Sequence, residues 1–432
     1  ADHACELGLA ELTRRVAPAD LVEIRLDARP DFPLEWIPRL GKPVVAENVT
    51  VWPVYSNSAA EPLPDQDFIP LEEAQAKKWA IVRETGAPNA ATRAAQSRNA
   101  RPAQNQPVPN LPAQNPAPPV PNPPAQPEPQ NPPADPGPPN QAVPPQPRAE
   151  PQIPVPNPAA QQIVQADVGG SVNELVIENV GEKPILVLAG TVLKGGKQDR
   201  QIAQDFIVPP KKTVPVGAYC IEHGRWTATR DGVENQGLFL AQKSLSNADV
   251  RLSGQYKESQ QEVWSNVAAT NGALGNAPAS GTLLATIEDG DKDAVARRAR
   301  LQKAVRERFE ALAKEPKAPS GLAYAVDGKV REIRTFTHPR VFARYVETLS
   351  NTIALEGDIA QRKAVAAKAA VFDKPAEAKQ VTELVQATAN LKEEQTRNRA
   401  GNDARFRKGE KAWNSETRES PKAAPATKSW AQ

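Results

Sequence analysis

A proline-rich segment in the first half of the chain limits what the protein can fold into. Of the 45 prolines among the 432 residues, 24 lie in the 60 positions from 101 to 160, a stretch with only five charged residues and no aromatic residue. Such a composition cannot bury a hydrophobic core and favours a solvated polyproline II conformation. We therefore predict that residues 87–162 form a proline-rich insertion, which acts as a spacer or as a ligand for another surface.

Strand and helix patterns occur on both sides of this insertion. The run Trp79 to Glu84 and the run Ser171 to Asn179 are typical of strands, and the nearly continuous apolar run over residues 185–193 predicts one buried strand. The pair Asp327-Gly328 suits the type I′ turn of a hairpin, and helical spacing predicts a helix over residues 294–313. These patterns predict an α+β fold with a β-rich core of mainly antiparallel strands and a few flanking helices.

The same patterns set the expected domain boundaries. Residues 1–40 are predicted to be an N-terminal extension, and residues 41–86 and 163–356 to form a single discontinuous globular domain interrupted by the insertion. Residues 357–432 are predicted to be a charged tail, first helical and then disordered. Its helix is expected where four apolar residues form one stripe: Val381, Leu384, Val385 and Leu391.

Charge and composition exclude several classes of function. The 53 basic and 51 acidic residues give a net charge of +2, which argues against a nucleic-acid-binding surface, including one on the basic helix over residues 294–313. No stretch approaches the roughly 20 apolar residues of a transmembrane helix. Three histidines and two cysteines are too few for a closed zinc site to be expected, so we predict no metal and no cofactor.

The start of the chain and its cysteines bear on the compartment. The first residues, Ala1-Asp2-His3, are small and polar and do not include a methionine. We therefore expect that a signal peptide has been removed and that the protein is secreted, periplasmic or at the cell surface. Cys5 and Cys220 can form one disulfide bridge in such a compartment, or they remain unpaired thiols.

Residues 195–200, which follow the predicted buried strand, form the first candidate site. This run reads Gly-Gly-Lys-Gln-Asp-Arg. Glycine amides beside two cations can hold an anion, so Lys197, Gln198 and Arg200 are candidate ligand-binding residues. The glycine spacing is not that of a P-loop. The alternative is a tight turn with exposed charges.

Residues 220–226 form the second candidate site, with the sequence Cys-Ile-Glu-His-Gly-Arg-Trp. A carboxylate beside an imidazole can perform acid–base chemistry, so Glu222 and His223 are the catalytic candidates, while Arg225 and Trp226 are candidate ligand-binding residues. Alternation along a strand would place Cys220 and Glu222 on one face and His223 and Arg225 on the other. The alternative is structural, with Glu222 paired to an arginine (Arg200 or Arg225) and Trp226 packed at the edge of the domain.

These two runs resemble the family of ARG and Rhodanese-Phosphatase-superfamily-associated protein domains. The resemblance continues in residues 259–264, in the hairpin over residues 321–333 and in residues 350–355, and it covers residues 41–356 in all. It implies that the strand ending near Thr85 continues almost directly into the one beginning near Ser171, with the proline-rich segment inserted between them. Where the family has an acidic residue before the first motif, this chain has Ala189 or Thr191. The resemblance therefore implies a fold and a candidate surface but no reaction.

Two functions are compatible with these features. The first is an exported, non-enzymatic binding or assembly protein of the cell envelope or extracellular space. It would bind a protein partner, or a second copy of itself, through the projecting proline-rich loop, because a stiff polyproline strand loses little entropy on docking. The alternative is an enzyme that acts on an anionic or carbonyl substrate at the site lined by lysine, arginine, glutamate and histidine.

Overall fold

The computed structural model describes residues 39–55, 66–85, 173–230, 232–288, 291–369 and 374–432, all of which belong to one compact unit. Within these ranges the chain forms seven helices and nineteen strands, and the named strands pair antiparallel throughout. The fold is α+β and rich in β-structure, which confirms the predicted fold class. The predicted insertion over residues 87–162, and the predicted N-terminal extension up to residue 38, lie outside the described residues.

Strands and helices occur in groups along the chain. In chain order the strands are β1 (Arg39–Leu40), β2 (Val44–Ala46), β3 (Val49–Tyr55), β4 (Ala80–Glu84), β5 (Glu174–Asn179), β6 (Ile185–Val187), β7 (Thr191–Gly195), β8 (Arg200–Ile202), β9 (Phe206–Val208), β10 (Lys212–Cys220), β11 (Thr229–Arg230), β12 (Val233–Glu234), β13 (Leu238–Leu245), β14 (Gly321–Val326), β15 (Lys329–Phe336), β16 (Glu393–Arg397), β17 (Asp403–Lys408), β18 (Trp413–Arg418) and β19 (Thr427–Ala431). The helices are α1 (Leu71–Ala76), α2 (Ala248–Gln255), α3 (Gln260–Ala273), α4 (Leu283–Ile287), α5 (Lys292–Leu312), α6 (Pro339–Ala366) and α7 (Ala378–Ala389).

A nine-stranded antiparallel sheet joins the start of the described chain to its end. Its order is β1-β3-β14-β15-β19-β18-β17-β16, with β2 added beside β3. The β14–β15 hairpin forms at the predicted turn, where Asp327 and Gly328 have φ values of +48° and +73°. Both positive values are those of a type I′ turn, whose twist matches that of the flanking strands.

Six strands close into a barrel in the order β10-β5-β4-β13-β7-β8. Alternate side chains point into the barrel and form a packed apolar core, which includes Val82, Ile177, Ile202, Val216 and Phe239. Closure leaves no free strand edge in this sheet. The barrel is therefore a rigid frame for the loops at its two ends.

Helices cover both faces of the large sheet. α5 and α6 pack against each other and against the face that carries Val51 and Tyr324, whereas α7 covers the opposite face, where Trp52 and Ile333 are buried. Asp291 caps α5 by accepting a hydrogen bond from the backbone of Asp293, as expected for a helix that begins with acidic residues. Among the described helices, none is both long enough and apolar enough to span a bilayer.

The two strands that flank the proline-rich segment in sequence are neighbours in the barrel. β4 pairs with β5, and Glu84 and Leu175 are partners at the end of that ladder. The chain therefore leaves the barrel after β4 and returns to it at the adjacent strand.

The apolar run over residues 185–193 is two strands and not one, so this prediction is wrong. β6 pairs with β9 outside the barrel, and β7 lies within the barrel. Between them Gly190 has φ +80°, and the Thr191 amide donates to the Leu188 carbonyl oxygen. Hydrophobicity along the run gave no indication of this turn, because all of the residues in it are buried.

The C-terminal residues are ordered strands, which corrects the prediction of a tail that becomes disordered. The predicted boundary after Glu356 falls inside α6, and β19 pairs with β15 in the middle of the large sheet. The stripe on α7 is buried as predicted at Val381, Leu384 and Val385, although Leu391 lies beyond the helix. Strands β16 to β19 are polar, so their sequence lacks the apolar pattern that predicts a strand. Charged side chains pair across them instead: Glu416 faces Lys428 across the β18–β19 ladder, with the two charged groups 3.1 Å apart.

Candidate functional site

The two predicted motifs meet at one end of the barrel. β8 pairs with both β7 and β10, and Arg200 is the ladder partner of Cys220. The loop between β7 and β8 (residues 196–199) therefore lies beside the segment that follows β10 (residues 221–228). Sequence reasoning expected these segments to flank adjacent strands, and the structure brings them together.

Arg200 and Cys220 point into the barrel at this end. Arg200 shares a face of β8 with Ile202, and Cys220 shares a face of β10 with Ala218; both apolar partners belong to the barrel core. Arg200 is 3% exposed and Cys220 2% exposed. The guanidinium of Arg200 donates a hydrogen bond to the Cys220 thiol. A polar layer thus closes one end of an apolar barrel.

Four charged side chains join the two motifs in an ion network. The Arg225 guanidinium donates to Glu222, with Nη2 2.7 Å from Oε2 and Nε 3.1 Å from both carboxylate oxygens. Arg230, on β11, donates to both oxygens of Asp199 at 3.0 and 2.5 Å and approaches Glu222 Oε1 at 3.4 Å. The Asp199 amide donates to Glu222 Oε2 at 2.9 Å. Both carboxylates are fully buried, and each is compensated by an arginine.

Burial and hydrogen bonding set the pKa values of the two acids. Burial disfavours ionisation of Glu222, but the hydrogen bonds from Arg225 and from the Asp199 amide outweigh it and lower the pKa of Glu222. Burial raises the pKa of Asp199, and the neighbouring Glu222 charge raises it further against the hydrogen bonds from Arg230 and Thr282. The two acids are close enough to titrate as a pair.

The amides of the glycine loop are used within the protein. The Gly195 amide donates to Asp199 Oδ1, the Gly196 amide to the Leu238 carbonyl oxygen and the Lys197 amide to Glu84 Oε1. A Cβ atom on Gly195 would lie 2.1 Å from the Leu238 carbonyl oxygen, so only glycine fits there. Side chains, and not these amides, are what the site can offer to a ligand.

Cys220 and His223 do not form a catalytic pair. β10 ends at Cys220, so the alternation predicted through Arg225 is wrong: the chain bends, and Arg225 reaches back to Glu222. His223 is exposed, and its ring packs edge-to-face with the Trp264 ring, with the ring centres 4.8 Å apart. Burial raises the pKa of the Cys220 thiol against the nearby Arg200 charge. Within the described residues Cys220 is therefore an inert, interior thiol, and Cys5, its predicted disulfide partner, lies outside them.

The remaining candidates surround Trp226. The Lys197 ammonium lies 5.7 Å from the centre of the Trp226 ring, and the Arg200 guanidinium carbon lies 5.9 Å from it. Gln198 is buried and its amide approaches the His223 carbonyl oxygen at 3.4 Å. Of the seven predicted site residues, Lys197, Arg200 and Trp226 form one cluster, while Glu222 and Arg225 belong to the ion network.

Sequence reasoning missed three contributors to this end of the barrel. Arg230 and Thr282 both donate to Asp199, and Glu84 accepts from the glycine loop. Asp199 lies inside the first motif, and an acidic residue between two buried strands indicates a buried partner. Arg230 and Thr282 come from other parts of the chain, and nothing in their local sequence marks them.

Two clefts on the described surface lie away from the motifs. One, of about 390 Å³, lies between β13, α5 and α6 and is lined by Lys243, Glu288 and Arg298 among others. Another, of about 280 Å³, lies between β10 and the β16–β17 hairpin and includes Tyr219 and Arg399. Within the described residues, no group of three or more His, Cys, Asp or Glu side chains is arranged to hold a metal ion.

Comparison with known proteins identifies one relationship. The family model for the ARG and Rhodanese-Phosphatase-superfamily-associated Protein domain matches residues 157–423, which include both motifs and extend through β18. No curated protein and no solved structure matches the chain.

Proposed function

The chain belongs to the ARG and Rhodanese-Phosphatase-superfamily-associated Protein domain family, and from this premise we propose that it is a non-enzymatic binding or assembly protein whose proline-rich segment is the interaction element. The observation that supports this most directly is the state of Glu222, the predicted catalytic base. Its carboxylate accepts hydrogen bonds from Arg225, Arg230 and the Asp199 amide and is fully buried.

A general base needs a free lone pair within reach of a substrate and a pKa near the pH at which it works. Glu222 has neither, because its oxygens are occupied and its pKa is lowered. The other catalytic candidate, His223, packs on Trp264, and no hydrogen bond joins its ring to a carboxylate in the described part of the chain. The network at this end of the barrel supports a structural role, in which it locks two loops together.

The position of the proline-rich segment supports the second half of the proposal. Its two ends start from β4 and β5, which are hydrogen-bonded neighbours. Anchored in this way, the segment can change its length or composition without separating strands of the barrel. Proline-rich chains bind partners at a low entropic cost because their polyproline II conformation is already formed. The location of the protein outside the cytoplasm stays a prediction.

Self-association through the segment can be tested with three forms of the full chain. The first is unmodified, the second lacks residues 97–162, and the third keeps that length and charge but has serine in place of the prolines between residues 101 and 160. The mass of each is measured by size-exclusion chromatography with light scattering over a hundredfold range of concentration. We expect the unmodified chain to form oligomers and both variants to contain fewer chains per particle. The same number of chains per particle in all three forms at every concentration would contradict assembly through the segment.

A further inference from the structure

Arg200 is a buried cation that has no counter-ion among the described residues. It is 3% exposed, its hydrogen bond to Cys220 is with a thiol that burial keeps neutral, and it forms no ion pair with any described residue. The Nε–H of the same guanidinium is buried and has no hydrogen-bond partner in the described chain. Buried charges in proteins are almost always paired, because an unpaired one is strongly destabilising.

Two more unused donors lie next to Arg200. The Trp226 indole Nε1–H is buried and without a partner among the described residues, and the half-buried Lys197 ammonium makes neither a hydrogen bond nor an ion pair there. Both cations lie within 6 Å of the centre of the Trp226 ring, at 5.7 and 5.9 Å. Two positive charges and an indole N–H are thus concentrated around one side chain.

The nearby acids do not neutralise these cations. Asp199 and Glu222 are taken by Arg230 and Arg225. Glu84 accepts the Lys197 amide and forms no ion pair with the Lys197 or Arg200 side chain. Arg225 and Arg230 are therefore paired with acids, whereas no acid of the described chain pairs with Lys197 or Arg200.

From this geometry we propose that Lys197, Arg200 and Trp226 bind an oxyanion, a phosphate or a carboxylate, at the polar end of the barrel. The guanidinium Nε–H and the indole N–H donate to the oxygens of the anion, and the Lys197 ammonium covers it from the solvent side. Charge-assisted hydrogen bonds of this kind are the strongest available to a small anion. The site is independent of the proline-rich segment and goes beyond the proposed assembly role.

The proposal is tested by thermal unfolding of the full chain in sodium phosphate, sodium citrate and sodium chloride at equal ionic strength. We expect the midpoint to rise with phosphate, with citrate or with both, and to remain unchanged in chloride. The oxyanion that raises it is then titrated calorimetrically, which separates a phosphate site from a carboxylate site.

Two variants and one control complete the test. Lys197→Gln and Trp226→Phe each remove one donor and should weaken binding by about tenfold or more, the effect of losing a hydrogen bond to a charged group. Lys194→Gln removes the same charge from β7, where Lys194 pairs with Glu288 at 2.7 Å, and should bind as the unmodified chain does. An equal rise in all three salts, no rise in any of them, or equal losses in Lys197→Gln and Lys194→Gln would overturn the proposal.

Discussion

Arg334 donates to both carboxylate oxygens of Asp205, at 3.2 Å each, although Arg334 lies on β15 of the large sheet and Asp205 on the link between β8 and β9. The side chains are 0% and 2% exposed. Arg334 also pairs with Glu332, which in turn pairs with Arg251 on α2 at 2.6 Å. Two arginines and two acids thus form a neutral, buried chain that fastens the barrel region to the sheet.

Removing one charge from this chain should be strongly destabilising. Asp205→Asn leaves two buried arginines, Arg334 and Arg251, with the single carboxylate of Glu332, and we expect this net positive charge to cost about 3–5 kcal/mol in the free energy of unfolding by urea. Glu347→Gln makes the same chemical change in an exposed pair with Lys243 and should lose less than about 1 kcal/mol. Equal losses of unfolding free energy in the two variants would show that the buried pair stabilises the fold no more than an exposed pair does.

Glu222→Gln tests the ion network at the barrel end. At pH 7 we expect it to lose at least about 2 kcal/mol of unfolding free energy, since two arginines lose a buried charged partner. Because the pKa of Glu222 is lowered in the folded protein, its stabilisation is complete above the unfolded pKa of about 4.3 and is lost as the pH falls below it. The difference between wild type and variant, measured by urea unfolding from pH 7 to pH 3, should therefore shrink. A constant difference would contradict the network.

Gly190 and Gly232 form a matched pair of positions for a test of the turn between β6 and β7. Their φ values are +80° and +78°, so alanine is strained by about 1–2 kcal/mol at either one. At Gly190 the new Cβ would also lie 2.6 Å from Arg251 Cδ, whereas nothing lies within 4 Å at Gly232. We expect Gly190→Ala to lower the thermal midpoint clearly more than Gly232→Ala does. Equal shifts would mean that Arg251 moves freely.

Truncation tests the place of the C-terminal strands. Ending the chain after residue 420 removes β19, the strand that joins β15 to β18. We expect loss of the cooperative unfolding transition and binding of a hydrophobic dye, because Ile333 and its neighbours lose their cover. Removing Gln432 alone leaves β19 complete and should preserve the transition. A truncated chain that unfolds like the full chain would support the original prediction of a disordered tail.

Elements with a local chemical code could be predicted from the sequence. The Asp327-Gly328 turn, the Asp291 cap and the apolar stripes of α5 and α6 depend on residues within a few positions of each other. The C-terminal strands could not, because their partners are other polar strands and their stability comes from cross-strand pairs such as Glu416 and Lys428. A polar segment that looks disordered in the sequence can therefore be an ordered strand in the fold, because its polar side chains pair with those of the neighbouring strands.

The candidate site, like the fold, could be predicted from the sequence only where it depends on local features. The two motifs flank neighbouring strands, and sequence alone brought Lys197, Arg200 and Glu222 to one place. The sequence could not decide between a catalytic site and a structural ion network. That choice depends on Arg230 and Thr282, whose contacts with Asp199 are set by the tertiary fold. Which cations remain unpaired is likewise a property of the assembled barrel.

The adjacency of β4 and β5 makes this barrel a natural host for grafted sequence. The β4–β5 pairing ends at Glu84 and Leu175, so the length of chain between these two residues does not affect the pairing of the barrel strands. Doubling such an excursion costs only about 0.6 kcal/mol in closure entropy. An engineer can therefore replace this excursion with a foreign peptide of another length while the scaffold that displays it stays the same.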